Sequence, residues 1–246
     1  MNTGFHDPRR IAVIGASGGI GSALVDQLAG ASGTETVYAL ARRPEHLAAG
    51  AAVPLAIDID DEGSIVLAAE QILADGPLDL VIVATGLLHG DNGLGPEKSM
   101  RSLDPAVLTR VLATNCVGPA LVAKHFLPGM RKTHKSVFAA LSARVGSISD
   151  NRLGGWHSYR ASKAALNQLI RTFSIEHARS HRHAAVVGLH PGTVDTRLSA
   201  PFQRGVPDGK LFSPEQAAGY LLRVIDGLTA EDTGGFFAWD GQSIDY

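Results

Sequence analysis

A chain of 246 residues is long enough for one large domain or two small ones, and it can bury roughly 70–75% of its unfolded surface, so neither disulfides nor a structural metal is needed for stability. Hydrophobic residues at 45% and charged residues at 19% exclude a disordered chain. With 22 Lys and Arg against 24 Asp and Glu, the net charge of −2 cannot supply the broad positive field of non-specific nucleic-acid binding, and nucleic acid is not an expected partner.

Residues 1–10 show no charged segment followed by an apolar core, so no secretory signal is expected. The first predicted strand, 10–15, is apolar throughout in Ile11-Ala12-Val13-Ile14 and runs into Gly15-Ala16-Ser17-Gly18-Gly19-Ile20-Gly21, which opens a predicted helix over 20–30. Glycines there allow a sharp turn, let a phosphate approach backbone N–H groups, and let the helix pack close to the sheet with its positive end toward a pyrophosphate. The stretch also matches G-x-S-x-G with Ser17 central, the turn that carries a serine hydrolase nucleophile; that turn follows a central strand preceded by others, whereas here it follows the first.

A second strand is predicted over 35–41 and is followed by Arg42 and Arg43, with no acid between Glu35 and Glu45. About twenty residues past the glycines, an acid would bind the 2′-hydroxyl of NAD; two arginines can instead pair with the 2′-phosphate of NADP. NADP(H) is therefore the expected cofactor. A strand over 52–58 and a helix over 62–74 follow, then a strand over 78–86. Asp58 and Ile59 after the third strand, and Ala84-Thr85-Gly86 closing the fourth, would face the adenosine on the same edge.

Next comes a long Gly- and Pro-containing connection over 86–104 and a helix predicted over 105–131 that carries Asn115 and the single cysteine, Cys116. One cysteine allows no intrachain disulfide and no cysteine-based zinc site, which suits a reducing compartment; as a small buried residue it is not expected to be a nucleophile. The apolar stretch 117–127 includes Lys124 and His125 and falls short of the roughly 20 residues that span a bilayer, so no membrane partner is expected and the location is read as cytoplasmic.

The fifth strand, 135–142, ends on Ser142, and a helix over 158–180 places Tyr159 and Lys163 four apart on one face. A nearby ammonium favours a phenolate, so the pair is expected to lower the tyrosine pKa and act as a general acid/base unit. In the same helix His177 and His181 stand one turn apart, but no third ligand or HExxH pattern accompanies them and no metal site is expected. Strand 184–190 leads to Pro191-Gly192-x-Val194-x-Thr196, a long loop over 197–213, a helix over 214–228 and a last strand over 235–240. Strands nearly continuous in apolar residues, alternating with helices and uninterrupted by a linker or repeat, predict one doubly wound α/β domain over 1–246, a parallel sheet of about seven strands covered on both faces.

Gly15-x-x-x-Gly19-x-Gly21, Asn115, Ser142, Tyr159-x-x-x-Lys163 and Pro191-Gly192-x-Val194-x-Thr196 together resemble, in order and spacing, the short-chain dehydrogenase/reductase family, over essentially the whole chain. The runs 142–148, 154–156 and 159–163 look most like its sniffer-type carbonyl reductases and C-factor proteins. The resemblance implies a Rossmann-like fold and hydride transfer between NADP(H) and a small-molecule carbonyl or alcohol. It implies Tyr159 as proton donor, Lys163 on the nicotinamide ribose and lowering the tyrosine pKa, Ser142 on the substrate oxygen, and Asn115 holding a water that links Lys163 to solvent. Gly15, Ser17, Gly18, Gly19, Ile20, Gly21, Arg42, Arg43, Asp58, Ile59, Ala84, Thr85, Gly86, Tyr159, Lys163, Pro191, Gly192, Val194 and Thr196 would line the cofactor, with Val194 and Thr196 on the carboxamide. A homodimer or homotetramer through helices 105–131 and 158–180 is also implied.

This chain has Ala84-Thr85-Gly86 where the family usually has Asn-Ala-Gly, and thirteen residues before Tyr159, the usual place of the serine, stands Gly146. Ser142, seventeen back, is preferred to Ser147 and Ser149 because it ends an apolar strand on the ligand edge. Leu87, Leu88, Leu153, Trp156, Leu198, Phe202, Leu211 and Phe212 are expected to line an apolar pocket suited to an uncharged hydrophobic aldehyde or ketone. A non-catalytic dinucleotide sensor with the same fold is the alternative, and retention of both Tyr159 and Lys163 argues against it.

Overall fold

The computed structural model describes residues 5–48, 50–90 and 93–246. The first four residues of the N-terminal stretch read for a signal, and Asp91 and Asn92 of the long loop after the fourth strand, lie outside the described residues.

The elements run β1 (Arg9–Ile14), α1 (Gly19–Ala29), β2 (Thr34–Ala41), β3 (Val53–Ala56), α2 (Glu62–Ala74), β4 (Leu80–Val83), α3 (Pro105–Leu112), α4 (Gly118–Phe126), β5 (Ser136–Leu141), α5 (His157–His177), β6 (Ala184–His190), β7 (Thr193–Val194), β8 (Leu211–Phe212), α6 (Pro214–Gly227) and β9 (Phe236–Ala238). Seven strands form one parallel sheet in the order β3-β2-β1-β4-β5-β6-β9. The order reverses between β1 and β4, and in open α/β sheets ligands bind at such a switch point, outside the carboxyl ends of the strands. This is the doubly wound Rossmann-like arrangement expected from the alternation of short apolar runs with amphipathic segments.

Side-chain alternation along each strand divides the core in two. Ala12, Ile14, Val81, Val83, Phe138, Ala140 and Val186 pack against Ile65 and Ile72 of α2, Val122 and Phe126 of α4, and Leu166 and Ile170 of α5. Ile11, Val13, Leu80, Ile82, Val137, Ala139 and Val187 pack on the other face against Leu24 and Leu28 of α1 and Leu221 and Ile225 of α6. Burial on both faces explains why these strands are apolar at consecutive positions, each fully buried aliphatic side chain contributing roughly 1.5–3 kcal/mol.

The helix predicted over 105–131 is not a uniform α-helix. A π-helical turn, Ala113–Val117, separates α3 from α4, and a 3₁₀ turn, Leu127–Gly129, closes the run. Residues Pro105–Gly129 together are long and apolar enough to cross a membrane on length and composition alone, more than the stretch 117–127 suggested. Val122, Ala123 and Phe126 of this run are nevertheless buried in the core of the sheet layer, as in a core helix. The two long loops at the ligand edge contain structure not foreseen: a 3₁₀ turn at Met100–Ser102, another at Ala200–Gly205, and β8, which pairs in parallel with β7 just before the second loop.

Candidate functional site

Two cavities open along the carboxyl ends of the strands, on either side of the turn between β1 and α1. The smaller, of about 260 Å³, is lined by Gly15, Ser17, Gly18, Arg42, Asp58, Ile59, Ala84, Thr85 and Gly86. The larger, of about 610 Å³, is lined by Ile20, Ser142, Tyr159, Pro191, Gly192, Val194 and Thr196 among others. The expected cofactor residues thus divide between the two, while Gly19, Gly21, Arg43 and Lys163 border neither.

The glycine turn is a backbone cradle. Gly15 sits at φ +92, the Gly18 N–H donates to the Gly15 carbonyl, and a Cβ on Gly21 would collide with that same carbonyl oxygen. Helix α1 starts without a side-chain cap, so its first-turn N–H groups remain available to an anion. Thr85 Oγ1 is buried with no hydrogen-bond partner. These features fit a dinucleotide, whose pyrophosphate the N-terminus of α1 would hold and whose adenosine Arg42, Asp58 and Thr85 would face. No histidine is among the residues lining the cavity beside Ser17, so a hydrolase base is not at hand there.

Of the two arginines after β2, both are exposed, but Arg42 alone borders the smaller cavity. Three polar residues line it that the sequence reading missed: Asp60, Arg110 and Thr114. Arg110 Nη1 lies 2.8 Å from Asp60 Oδ2, and Thr114 Oγ1 donates to Asp60 Oδ1 at 3.3 Å. Arg110 and Thr114 stand one turn apart just before Asn115, a helical spacing that was visible in the sequence.

In the larger cavity Ser142 and Tyr159 face the same space. Ser142 follows the last residue of β5 and donates to Asn167 Oδ1 at 2.6 Å. Asn167 is buried one turn beyond Lys163, and its Nδ2 has no partner in the assigned orientation. With the amide turned over, Asn167 donates to Ser142 and the hydroxyl proton becomes free for a ligand oxygen. Gly146, at the family's usual serine position, packs so tightly on α5 that a Cβ would stand 2.7 Å from Lys163 Cβ, so no serine is accommodated there. Ser147 and Ser149 bond to each other at 3.3 Å and line neither cavity.

Lys163 lies behind Tyr159, with Nζ 5.9 Å from the phenol ring centroid and donating to the Leu141 carbonyl at 2.8 Å. Burial lowers the Lys163 pKa to about 8, and Cys116 works weakly against that shift. Burial also pushes the Tyr159 phenol up to about 12, the reverse of the lowering expected from a lysine neighbour. The ammonium is spent on a backbone carbonyl, leaving desolvation to decide the tyrosine.

Asn115 is fully buried and also stands behind the cavities. Its Nδ2 donates to the Leu87 carbonyl and to Ser162 Oγ, and its Oδ1 accepts from the Leu87 N–H at 2.7 Å. Asn115 lies in the π turn and ties the loop after β4 to α5.

The cavity wall differs in part from the apolar set expected. Leu88, Leu153, Trp156, Leu198 and Phe202 line it, but Leu87 borders the smaller cavity. Leu211 and Phe212 form β8, and the Phe212 ring is buried against Tyr220 and Trp239. Charged groups join the rim: Arg144 pairs with Asp150 at 3.3 Å, Arg160 donates to the Gly155 and Val145 carbonyls, and Arg152 borders the cavity as well. His190 also lines it, and burial, reinforced by Arg144, brings its pKa down to about 4, so it is neutral at physiological pH.

The sequence pattern of the short chain dehydrogenase family matches residues 9–206. This chain belongs to that family. Its fold is accordingly that of a short-chain dehydrogenase, an oxidoreductase that uses a nicotinamide dinucleotide. Among curated relatives, the C-signal of Myxococcus xanthus is 36% identical over 169 residues, 69% of this chain and 93% of its own. The 1-hydroxy-2-glutathionyl-2-methyl-3-butene dehydrogenase of Rhodococcus sp. strain AD45 is 31% identical over 96% of this short-chain dehydrogenase and 99% of its own length. Among solved structures, the NADPH-bound carbonyl reductase from chicken fatty liver superposes with a TM-score of 0.84 at 27% identity, covering 99% of this chain and 96% of that one. The carbonyl reductase Sniffer of D. melanogaster shares the fold, with a TM-score of 0.83 at 21% identity over 98% of this chain and 100% of its own. Among the described residues no group of three or more His, Cys, Asp or Glu side chains could hold a metal ion.

Proposed function

We propose that this short-chain dehydrogenase is an NADP(H)-dependent carbonyl reductase acting on a hydrophobic aldehyde or ketone. The observation that carries the reading is that Ser142 and Tyr159, from different elements, face one cavity beside the end of the glycine turn. The nicotinamide, when bound, supplies or accepts the hydride. The chain's own part is to orient the carbonyl and move a proton. The Ser142 hydroxyl, turned by Asn167, would donate to the substrate oxygen, and Tyr159, a phenol that holds its proton firmly, would pass that proton to the same oxygen as negative charge develops on it. Lys163 would turn from the Leu141 carbonyl to the ribose hydroxyls and the phenol oxygen, restoring the coupling that the structure by itself does not show. Asn115 would keep the loop after β4 fixed to α5.

Arg42 beside the adenosine end supports a preference for NADP(H), as does the NADPH held by the chicken enzyme. The apolar wall of Leu88, Trp156, Leu198, Phe202 and Val206 supports a hydrophobic substrate. The name of the Rhodococcus relative, a dehydrogenase of an alcohol bearing a glutathionyl group, argues for including conjugated alcohols among the candidates, with Arg152 at the rim to meet their charge. A homodimer or homotetramer is supported by Val117 and Ile175, each 51% exposed on the helical run 105–129 and on α5. A single buried thiol suits the cytoplasm.

The test is NADPH consumption across aldehydes, ketones and quinones, with conjugated alcohols run in the oxidative direction with NADP. Tyr159→Phe should abolish turnover while NADPH affinity stays within about twofold; more than a tenth of wild-type turnover would contradict a role worth roughly 10²–10⁴-fold.

A further inference from the structure

Helix α5 carries Tyr159 three residues after Trp156, the residue that caps its start, and a tryptophan has no side-chain acceptor with which to cap a helix. The backbone there is unusual. Gly154 and Gly155 have φ of 64° and 66°, and Trp156 has φ of 55°, the one non-glycine residue at positive φ among those described. A bulky side chain in the left-handed region persists only where its surroundings hold it, and such positions cluster at functional sites.

What holds it comes from a distant loop. Glu97 lies 61 residues before Ser158, in the connection between β4 and α3, and is 5% exposed. Its backbone carbonyl accepts from the Trp156 N–H at 2.6 Å. One carboxylate oxygen accepts from the Ser158 N–H at 3.1 Å, and the other from the Ser158 hydroxyl. Burial is the largest single influence and opposes the charge, but the hydrogen bonds from Ser158 and from Glu97's own backbone, with His157 nearby, together keep the carboxyl below its usual range, so it is ionised at the positive end of α5. The Trp156 ring, pinned by this arrangement, meets Tyr159 edge-on at 6.2 Å and Phe202 at 5.0 Å.

We propose that Glu97 is a positioning residue: it supplies the cap that the catalytic helix lacks and so sets both the placement of Tyr159 and the aromatic wall that Trp156 presents to the substrate cavity. The proposal rests on Tyr159 being the proton donor. Donor and acceptor in a proton transfer must meet within hydrogen-bond reach, and a displacement of about 1 Å lowers the rate about a hundredfold. Freeing the first turn of α5 would permit such a displacement without touching the dinucleotide cradle at the start of α1.

The experiment compares Glu97→Ala and Glu97→Gln in the full chain, with Tyr159→Phe alongside, on the best carbonyl substrate from the NADPH panel. For Glu97→Ala, kcat should fall about tenfold to a hundredfold, with the NADPH dissociation constant within about twofold. Glu97→Gln keeps the shape and an acceptor for one Ser158 donor, and should recover most of the loss. In a Trp239→Phe background Trp156 is the remaining one of 2 tryptophans; its emission should change in Glu97→Ala and return in Glu97→Gln. A Glu97→Ala enzyme with kcat within twofold of wild type overturns the proposal. So does a loss matched by equally weak NADPH binding and not recovered by glutamine, which marks general loosening, and so does unchanged Trp156 emission. Full turnover in Tyr159→Phe would remove the functional reading instead, and the emission of Glu97→Ala would then decide the clamp on its own.

Discussion

Replacing His177 by phenylalanine should flatten the acid side of the stability profile. His177 ends α5 with 8% exposure, stacks on His181 with centroids 3.8 Å apart, and has an Nε2 without a partner. Burial, with smaller repulsion from His181 and Lys132, lowers its pKa from 6.5 to about 4. The folded state therefore holds this ring neutral where the unfolded chain protonates it, and proton uptake favours unfolding as pH falls. The stabilisation is complete above about pH 6.5 and is lost progressively down to about pH 4. At 1.36 kcal/mol per unit, the whole window is worth about 3 kcal/mol, of which about 2 kcal/mol falls between pH 7 and pH 5. A phenyl ring preserves the stacking and cannot ionise. Urea unfolding at pH 7, 6 and 5 should show the wild type losing about 2 kcal/mol more than His177→Phe over that range. Parallel profiles, within about 0.5 kcal/mol, would show that the folded state admits the proton at His177 and refute the argument.

Ser142→Ala should lower kcat by about 10²–10³, the usual loss of a donor to a developing oxyanion. Ser147→Ala and Ser149→Ala should stay within a few-fold, because those hydroxyls face each other and not the cavity; steady-state kinetics that reverse this order would place the substrate oxygen elsewhere. For cofactor choice, Arg42→Ala should narrow the gap between NADPH and NADH affinity about tenfold, whereas Arg43→Ala should change it little, since charged hydrogen bonds contribute about 1.5–3 kcal/mol and Arg42 alone of the two borders the cavity. Isothermal titration giving equal affinities for both cofactors in the wild type would contradict this.

Much of the site was legible because it is written in short spacings. The glycines from Gly15 to Gly21 identify a turn whose geometry depends on neighbours in sequence, and Tyr159 and Lys163 share a helix face by periodicity alone. Arg42 and Arg43 read as equivalent, yet the chain turns after Ala41 and sends one of them to the cavity and the other away from it. Spacing places an ammonium near the Tyr159 phenol but does not say which acceptor the ammonium will choose; here it is the Leu141 carbonyl, and burial raises the phenol pKa.

Strand and helix alternation, the two-sided burial of the strands and the dinucleotide turn follow from the amino-acid order, since each depends on hydrophobic period or on backbone freedom within a few residues. Tertiary structure alone decided the rest. It showed that Gly146 presses on Lys163 and leaves no room for a serine. It set Asn115 against the loop after β4, set Asn167 behind Ser142, and brought Glu97 to the start of a helix 61 residues away. These are contacts between segments whose separation is set by how the layers pack, and no local pattern encodes the distance between two side chains that meet only after the sheet has formed.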